Sequence, residues 1–464
     1  MIRNKKFIPS LLVLCSLLLI GCTQSQEEIV YNGNLSSEEK TQNSTELEPY
    51  HYVLDQITPD AYSSVQTLAL APGSVISIIG MESNTPYWDM VQQGAKDAVA
   101  NLNASLGFKG KDSITLTYNA PASKYGVDEQ INILDEELSR FPTSIGMAML
   151  DSHAYEVQFD LALENGIPVV ALDSSNAFSN IASTVSTNHT EATMALTQNL
   201  ANAMNTTGEL ILITDSTKTT SCIERTQAVC DTISKNYSNI TITKTIALDD
   251  LDSEKLAMLR VTSPEIVDAA TSVLAQQAAE AIAQEATKNS EDDVNASTDV
   301  NDTDDTDDIN DRDDVVSNDA SSVASETFHG SSELIQYLSD ELDSITTEDV
   351  MEHVLTENPD TAGFLSTTDT GCELLLSQLE TNPLPIKPAI ASFDISRNLL
   401  AALESGTIDS LLLQNPYGIG YATVIACVRA ATNSGNQAVV DTGYTLLSTD
   451  NLEQCKEQNK IYIN

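Results

Sequence analysis

From Ser74 onward the chain alternates short apolar runs with stretches whose apolar positions recur every three to four residues. Val75-Ile76-Ser77-Ile78-Ile79-Gly80 is the first run, and apolar runs bounded by turn residues read as strands buried on both faces. Residues 87–105 follow, with Trp88, Val91, Ala95, Ala98, Val99 and Leu102 at helical spacing. Strands are predicted at 114–118, 144–149 and 167–173, and helices over 127–140 and 154–165, the second stopping at Gly166. The alternation restarts with helix 190–204, strand 210–214, helix 221–235 and strand 239–246. After an interruption it resumes with helix 347–356, strand 362–367, helix 370–380, strand 388–393, helix 396–404, strand 409–413, helix 418–433 and strand 438–447. Such alternation implies parallel sheets covered by helices on both faces. The fold class expected is α/β, with two doubly wound, Rossmann-like lobes joined by a multi-strand hinge. Ligands of such sheets lie beyond the carboxyl ends of the strands, here in the cleft between the lobes.

Three regions fall outside this alternation. Arg3, Lys5 and Lys6 precede an apolar stretch at 7–20, too short to span a bilayer, so it reads as an export signal. Leu19-Ile20-Gly21-Cys22 then resembles a bacterial lipobox, which implies cleavage after residue 21 and lipidation of Cys22. Several acyl chains anchor stably where one is marginal. Residues 22–72 are assigned to the lipidated Cys and a flexible tether, with a short helix expected somewhere in 51–72. The interruption at 256–345 is an insertion, opening with an Ala- and Gln-rich helix at 264–288 and holding a second short helix at 331–344. Glu291 to Asp319 carries 13 acidic residues against Arg312 alone, a net −12, and no aromatic. That composition cannot bury enough surface to offset chain entropy, and disorder is expected over 289–326. A calcium loop on Asp302, Asp304 and Asp307 lacks the turn Gly and the closing Glu that such loops use. The bland expectation for the insertion is a tolerated surface excursion. The sharper one is an arm near the cleft mouth that gates ligand or meets a partner.

Lys plus Arg is 22 and Asp plus Glu is 68, a net charge of −46. This excludes general nucleic-acid binding, which needs clustered cations. Cys222, Cys230, Cys372, Cys427 and Cys455 remain after the export segment; no CxxC occurs and the His residues are scattered, so no metal site or cofactor is suggested. Neither a GxSxG elbow, an HExxH nor a P-loop is present, so no enzyme is expected.

Several phrases carry a resemblance. Ser83-Asn84-Thr85-Pro86-Tyr87-Trp88 with Gln93-Gly94-Ala95 is one. The others are Gly166 through Ser174, Thr187-Asn188, Ser392-Phe393-Asp394, and Gln414-Asn415-Pro416-Tyr417-Gly418. In this order they resemble the type 1 periplasmic binding proteins for sugars, the ribose- and galactose-binding group, over about 74–256 and 346–450. The resemblance implies an N-terminal lobe of 74–188 plus 415–437 and a C-terminal lobe of 189–255, 346–414 and 438–450. It implies a lipid-anchored, extracytoplasmic binding protein that delivers a sugar or polyol to the membrane permease of an ABC importer. Its lobes also serve sugar sensors that signal to a chemoreceptor or kinase, and the lobes alone do not separate the two roles.

The ligand residues implied are Tyr87 and Trp88, whose rings would sandwich the sugar, with Asp173, Arg225, Asp394 and Gln414 as its polar partners. Thr368 and Asp369 stand where the family has Asn-Asp. Ser174 stands where several members carry Arg, and Thr85 where some have Asn, so the hydroxyl pattern read here is not transferred from ribose. The chemistry suits a sugar independently. Aromatic faces pack on C–H patches, carboxylates accept from hydroxyls, Arg donates in a fork, and Asn or Gln do both. Asp173 and Asp394 facing each other across a cleft also fit a glycosidase pair, the competing enzyme reading.

Overall fold

The computed structural model describes residues 50–295 and 331–463, with 280–295 and 331 described by their backbone alone. Two six-stranded sheets form the two lobes. The first contains β1 (Val75–Ile79), β2 (Thr115–Asn119), β3 (Ser144–Met147), β4 (Val169–Leu172), β5 (Thr184–Ser186) and β11 (Val439–Asp441), in the order β11-β5-β4-β3-β1-β2. The second contains β6 (Gly208–Thr214), β7 (Ile240–Ala247), β8 (Thr361–Ser366), β9 (Ala389–Phe393), β10 (Ser410–Gln414) and β12 (Tyr444–Leu447), in the order β12-β10-β9-β8-β6-β7. Every pairing is parallel except β12 on β10. The apolar runs are central strands: Ile76, Ile78, Ile79, Val170, Ala171, Leu172 and Leu210 to Ile213 are fully buried. Helices on both faces supply that cover, as the alternation requires.

The helix Pro86–Leu106 begins where the sequence says it should. Thr85 caps it by accepting from the Trp88 amide, Pro86 occupies the first turn, and Gly107 ends it at φ 72°. It crosses the helix Pro416–Ala431, whose residues 416–428 are all buried. Glycines make the crossing close. A Cβ on Gly94 would collide with the Tyr417 carbonyl, and one on Gly420 with the Val91 carbonyl.

The chain passes between lobes at Thr187–Asn188, Asn415 and Thr442–Gly443, and these crossings lie side by side. The Thr442 amide bonds the Ser186 carbonyl at 3.0 Å. Asn415 Nδ2 donates to Thr442 O at 2.8 Å and to Val53 O at 2.7 Å. The sequence reading treats 438–447 as one strand and places 438–450 in the C-terminal lobe. The structure divides the segment: β11 completes the first sheet, Gly443 turns at φ 76°, and β12 joins the second. β5 is not anticipated either, because its Thr184-Val185-Ser186 has too little apolar character to stand out.

The tether expected through residue 72 ends earlier. His51–Leu54 is a helix, Thr58 and Asp441 exchange backbone hydrogen bonds, and Tyr62, 1% exposed, donates to Asn436 Oδ1 at 3.0 Å. The N-terminal 21 residues and Cys22 lie outside the described residues. In the insertion, helices Asp252–Thr262, Pro264–Asn295 and Ser331–Ser344 bury a small core of Val267, Ala269, Ala270, Leu334 and Leu338. The long helix runs to Asn295, so 289–295 are helical rather than disordered; the rest of the acidic segment lies outside the described residues. The five cysteines are free thiols. Among the described residues, no helix is long and apolar enough to cross a membrane.

Candidate functional site

A cavity of about 750 Å³ lies between the lobes. Strand ends and helix starts position its walls. From the first lobe come Tyr87 and Trp88, in the opening turn of the helix Pro86–Leu106, and Asp173, directly after β4. From the second come Arg225, on the helix Thr220–Asn236, and Thr368 and Asp369, after β8. Asp394 follows β9, and Gln414 ends β10. All eight residues singled out from the sequence therefore line one space. Asp173 and Asp394 occupy equivalent places in the two lobes and share a left-handed backbone, φ 58° and 59°. Asp is among the few residues that tolerate this conformation.

Arg225 is 3% exposed and sits between these carboxylates. Its guanidinium lies 4.3 Å from the centroid of the Phe393 ring. Nη1 donates to Thr367 O at 2.8 Å and Nε to His189 Nδ1 at 3.3 Å. His189 Nε2 then faces Asp173 O at 2.9 Å, which assigns the proton to Nε2. No ion pair closes Arg225 onto Asp173 or Asp394 among the described residues, so free N–H groups remain between two acceptors. Each carboxylate is instead held by a phenol. Tyr87 donates to Asp173 Oδ1 at 2.7 Å, and Tyr462 to Asp394 Oδ1 at 3.1 Å. Gln414 Nε2 also donates to Asp394 Oδ2 at 3.0 Å.

The electrostatics follow from burial. Burial raises the Asp173 carboxyl despite Arg225 and the Tyr87 hydroxyl. Burial, then the nearby Asp173 charge, raises Asp394 against the pull of Arg225. Burial works against the Arg225 charge, but Asp394 and Asp173 outweigh it and hold its pKa up. His189 is pushed down to about 3 by burial and by Arg225, so it is neutral. Burial, Asp394 and Asp215 lift Asp369 to about 7, with Lys124 opposing. Gln414 Oε1 and Thr368 Oγ1 are buried, without a partner, in side chains that line the cavity. Uncapped buried polar atoms cost about 1–3 kcal/mol each, which a ligand's hydrogen bonds would recover.

The two aromatics differ in role. Tyr87 is half-buried, while Trp88 is 7% exposed, meets Tyr87 edge-on at 5.2 Å and packs into the first-lobe core. The phenol that meets the other carboxylate is Tyr462, edge-on to Tyr87 at 5.9 Å, which the sequence reading misses; Tyr50 and Tyr125 also line the cavity. Its signal was the apolar Ile461-Tyr462-Ile463 after a polar run. Lys124, Asp215 and Thr370 are missed as well. Lys124, on the first lobe, pairs with Asp215 and donates to Thr370 Oγ1 at 2.7 Å on the second, joining the lobes at the cavity rim. No residue of the insertion lines the cavity among those described.

The sequence matches the profile of the periplasmic binding protein domain over residues 76–304 and 296–436. The chain belongs to the periplasmic binding protein family. No match is found among curated proteins. Solved structures share its fold. A carbohydrate transporter solute-binding protein from Agrobacterium radiobacter, in complex with D-arabinose, is 18% identical with a TM-score of 0.57, covering 84% of this chain and 98% of its own. A glucose-galactose binding protein from Geobacillus stearothermophilus is 16% identical with a TM-score of 0.56, covering 82% and 99%. An ABC transporter solute-binding protein from Agrobacterium vitis, bound with α-D-tagatopyranose, is 15% identical with a TM-score of 0.57, covering 84% and 100%. The two lobes of mostly parallel sheet are the fold this chain shares with these solved structures.

Proposed function

We propose that this periplasmic binding protein captures a monosaccharide or related polyol between its lobes and hands it to the permease of an ABC importer. The observation that carries this reading is the arrangement around Arg225. Two carboxylates, a guanidinium with free N–H groups, an amide with an unpaired oxygen and two phenols converge on one cavity. Hydrogen bonds to charged groups contribute about 1.5–3 kcal/mol each, so three or four reach the roughly 8 kcal/mol of micromolar affinity. Tyr87, Asp173, Arg225, Thr368, Asp369, Asp394 and Gln414 are the contacts, with Trp88 buttressing Tyr87. The sugars carried by the structural relatives, arabinose and tagatose among them, are the first to try. The protein works as a binder without cofactor or catalysis: each Asp is engaged by a Tyr hydroxyl and shares Arg225 as counter-charge. Cys22 carries the lipid that holds it at the membrane. Calorimetry against a panel of pentoses, hexoses and polyols tests the reading. Micromolar binding of at least one, weakened tenfold or more in Asp394→Ala, supports it. Failure of every sugar below millimolar, or turnover of aryl glycosides, overturns it. Labelled fatty acid incorporated by wild type but not by Cys22→Ser tests the anchor.

A further inference from the structure

The polar lining is longer than one sugar ring needs. Strands β10, β9, β8 and β6 lie side by side, and at their carboxyl ends stand Gln414, Asp394, Asp369 and Asp215. Strand spacing is about 4.8 Å, so this row extends roughly 14 Å. The Gln414–Asp394 end faces Arg225, Asp173 and the two phenols. The Asp369–Asp215 end faces Lys124 alone among cations. Asp215 is 5% exposed; one of its oxygens pairs with Lys124, and the other, Oδ1, is buried without a partner. Asp369 Oδ1 accepts from the Thr370 amide at 2.8 Å, and no side chain among those described bonds its second oxygen.

The charges do not balance. Of the side chains that line the cavity, Glu82, Asp89, Asp173, Asp215, Asp369 and Asp394 stand against Lys124, Arg225 and Arg397, an excess of three acidic groups. A metal ion is a poor remedy: among the described residues, no three ligating side chains are close enough to hold one. An ammonium needs fewer ligands, and this end already accommodates one, since Lys124 Nζ rests between Asp215 and Thr370.

We propose that the cavity selects a sugar carrying a protonated amine, seated with its ammonium at the Asp369–Asp215 end. This rests on the sugar-capture reading and names the class within it. Burial favours the protonated form of Asp369, as do Asp394 and Asp215; Lys124 opposes them, and the Thr370 amide supports the carboxylate. An incoming ammonium shifts the balance to the carboxylate, so binding releases a proton near neutral pH.

The test is calorimetry of the full-length mature protein at pH 7. D-glucosamine and D-galactosamine are compared with glucose, galactose and the two N-acetyl forms. At least one amine should bind tenfold or more tighter than its hydroxyl and N-acetyl counterparts. Repeating the titration in buffers of different ionisation heat should reveal proton release for the amine only. Asp369→Asn should cut the amine-to-hydroxyl affinity ratio fivefold or more; Asp215→Asn is the second variant should the first fail to fold. Neutral sugars binding as tightly as the amines overturn this inference and leave sugar capture standing. An amine preference that survives both variants overturns the seat. Binding of neither kind overturns sugar capture itself.

Discussion

Replacing Arg225 with Met keeps most of the stem's length and removes the charge. Four things are lost: the 2.8 Å bond to Thr367 O, the 3.3 Å bond to His189 Nδ1, the stacking on Phe393, and the field that steadies Asp173 and Asp394. A charged hydrogen bond is worth about 1.5–3 kcal/mol, and a desolvated cation–ring contact about 2 kcal/mol. Against these stands the desolvation of the guanidinium, which the variant avoids. The net for breaking a buried ionic group is about 3–5 kcal/mol. The loss should depend on pH. Burial already raises both carboxyls, so their folded form binds protons more readily than the unfolded chain, and their contribution weakens as pH rises through the folded pKa. Without Arg225 both rise further. At high pH the variant buries uncompensated charge, while the carboxyls take up protons as pH falls and the cost shrinks. Urea unfolding of both proteins at pH 8 and pH 5 measures this. A loss of about 3–5 kcal/mol at pH 8, falling to about 2 kcal/mol at pH 5, is expected. Losses equal at both pH values within about 0.5 kcal/mol would refute the charge-balance account.

Gly420→Ala forces a methyl against the Val91 carbonyl, and backbone cannot move aside as a side chain can. Destabilisation of at least about 3 kcal/mol in chemical unfolding is expected, above the usual overpacking range, and a loss under about 1 kcal/mol would show that the helices separate easily. His189, neutral with a pKa of about 3, contributes stability that is present above its unfolded value and lost as pH falls toward 3. Between pH 7 and pH 5, wild type should therefore lose about 2 kcal/mol more than His189→Gln, measured by urea unfolding; parallel curves would contradict it. Tyr462→Phe keeps the ring and removes the bond to Asp394, so sugar affinity should fall about fivefold, in line with roughly 1 kcal/mol for one hydrogen bond; no change in the titration would remove Tyr462 from the contacts.

Much of the fold was legible because buried parallel strands leave continuous apolar runs. Ile76–Ile79, Val169–Leu172 and Leu210–Ile213 have no other simple reading. Boundaries failed where that signal thins. Thr184–Ser186 is polar by composition and buried by context, and the turn at Gly443 is hidden inside a run that looks continuous. The cavity residues at strand ends were readable, since a carboxylate closing a buried strand has a cleft to face. Asp215 closes β6 in the same way and was passed over, while Lys124 and Tyr462 were not readable. Their roles arise from one lobe, or the far end of the chain, meeting another, and spacing along a sequence does not encode that contact.

The segment ahead of the first strand has a mechanical consequence. The chain enters the folded body at Tyr50, stacked on Tyr417 at 4.1 Å, and Val53 and Thr58 are bonded to Asn415 and Asp441 at the crossings. A pull delivered through the N-terminus thus enters beside the three crossings that join the lobes, about which any opening would turn. Its lever arm on either lobe is short and its torque small. Tension entering there would neither pry the lobes apart nor press them together.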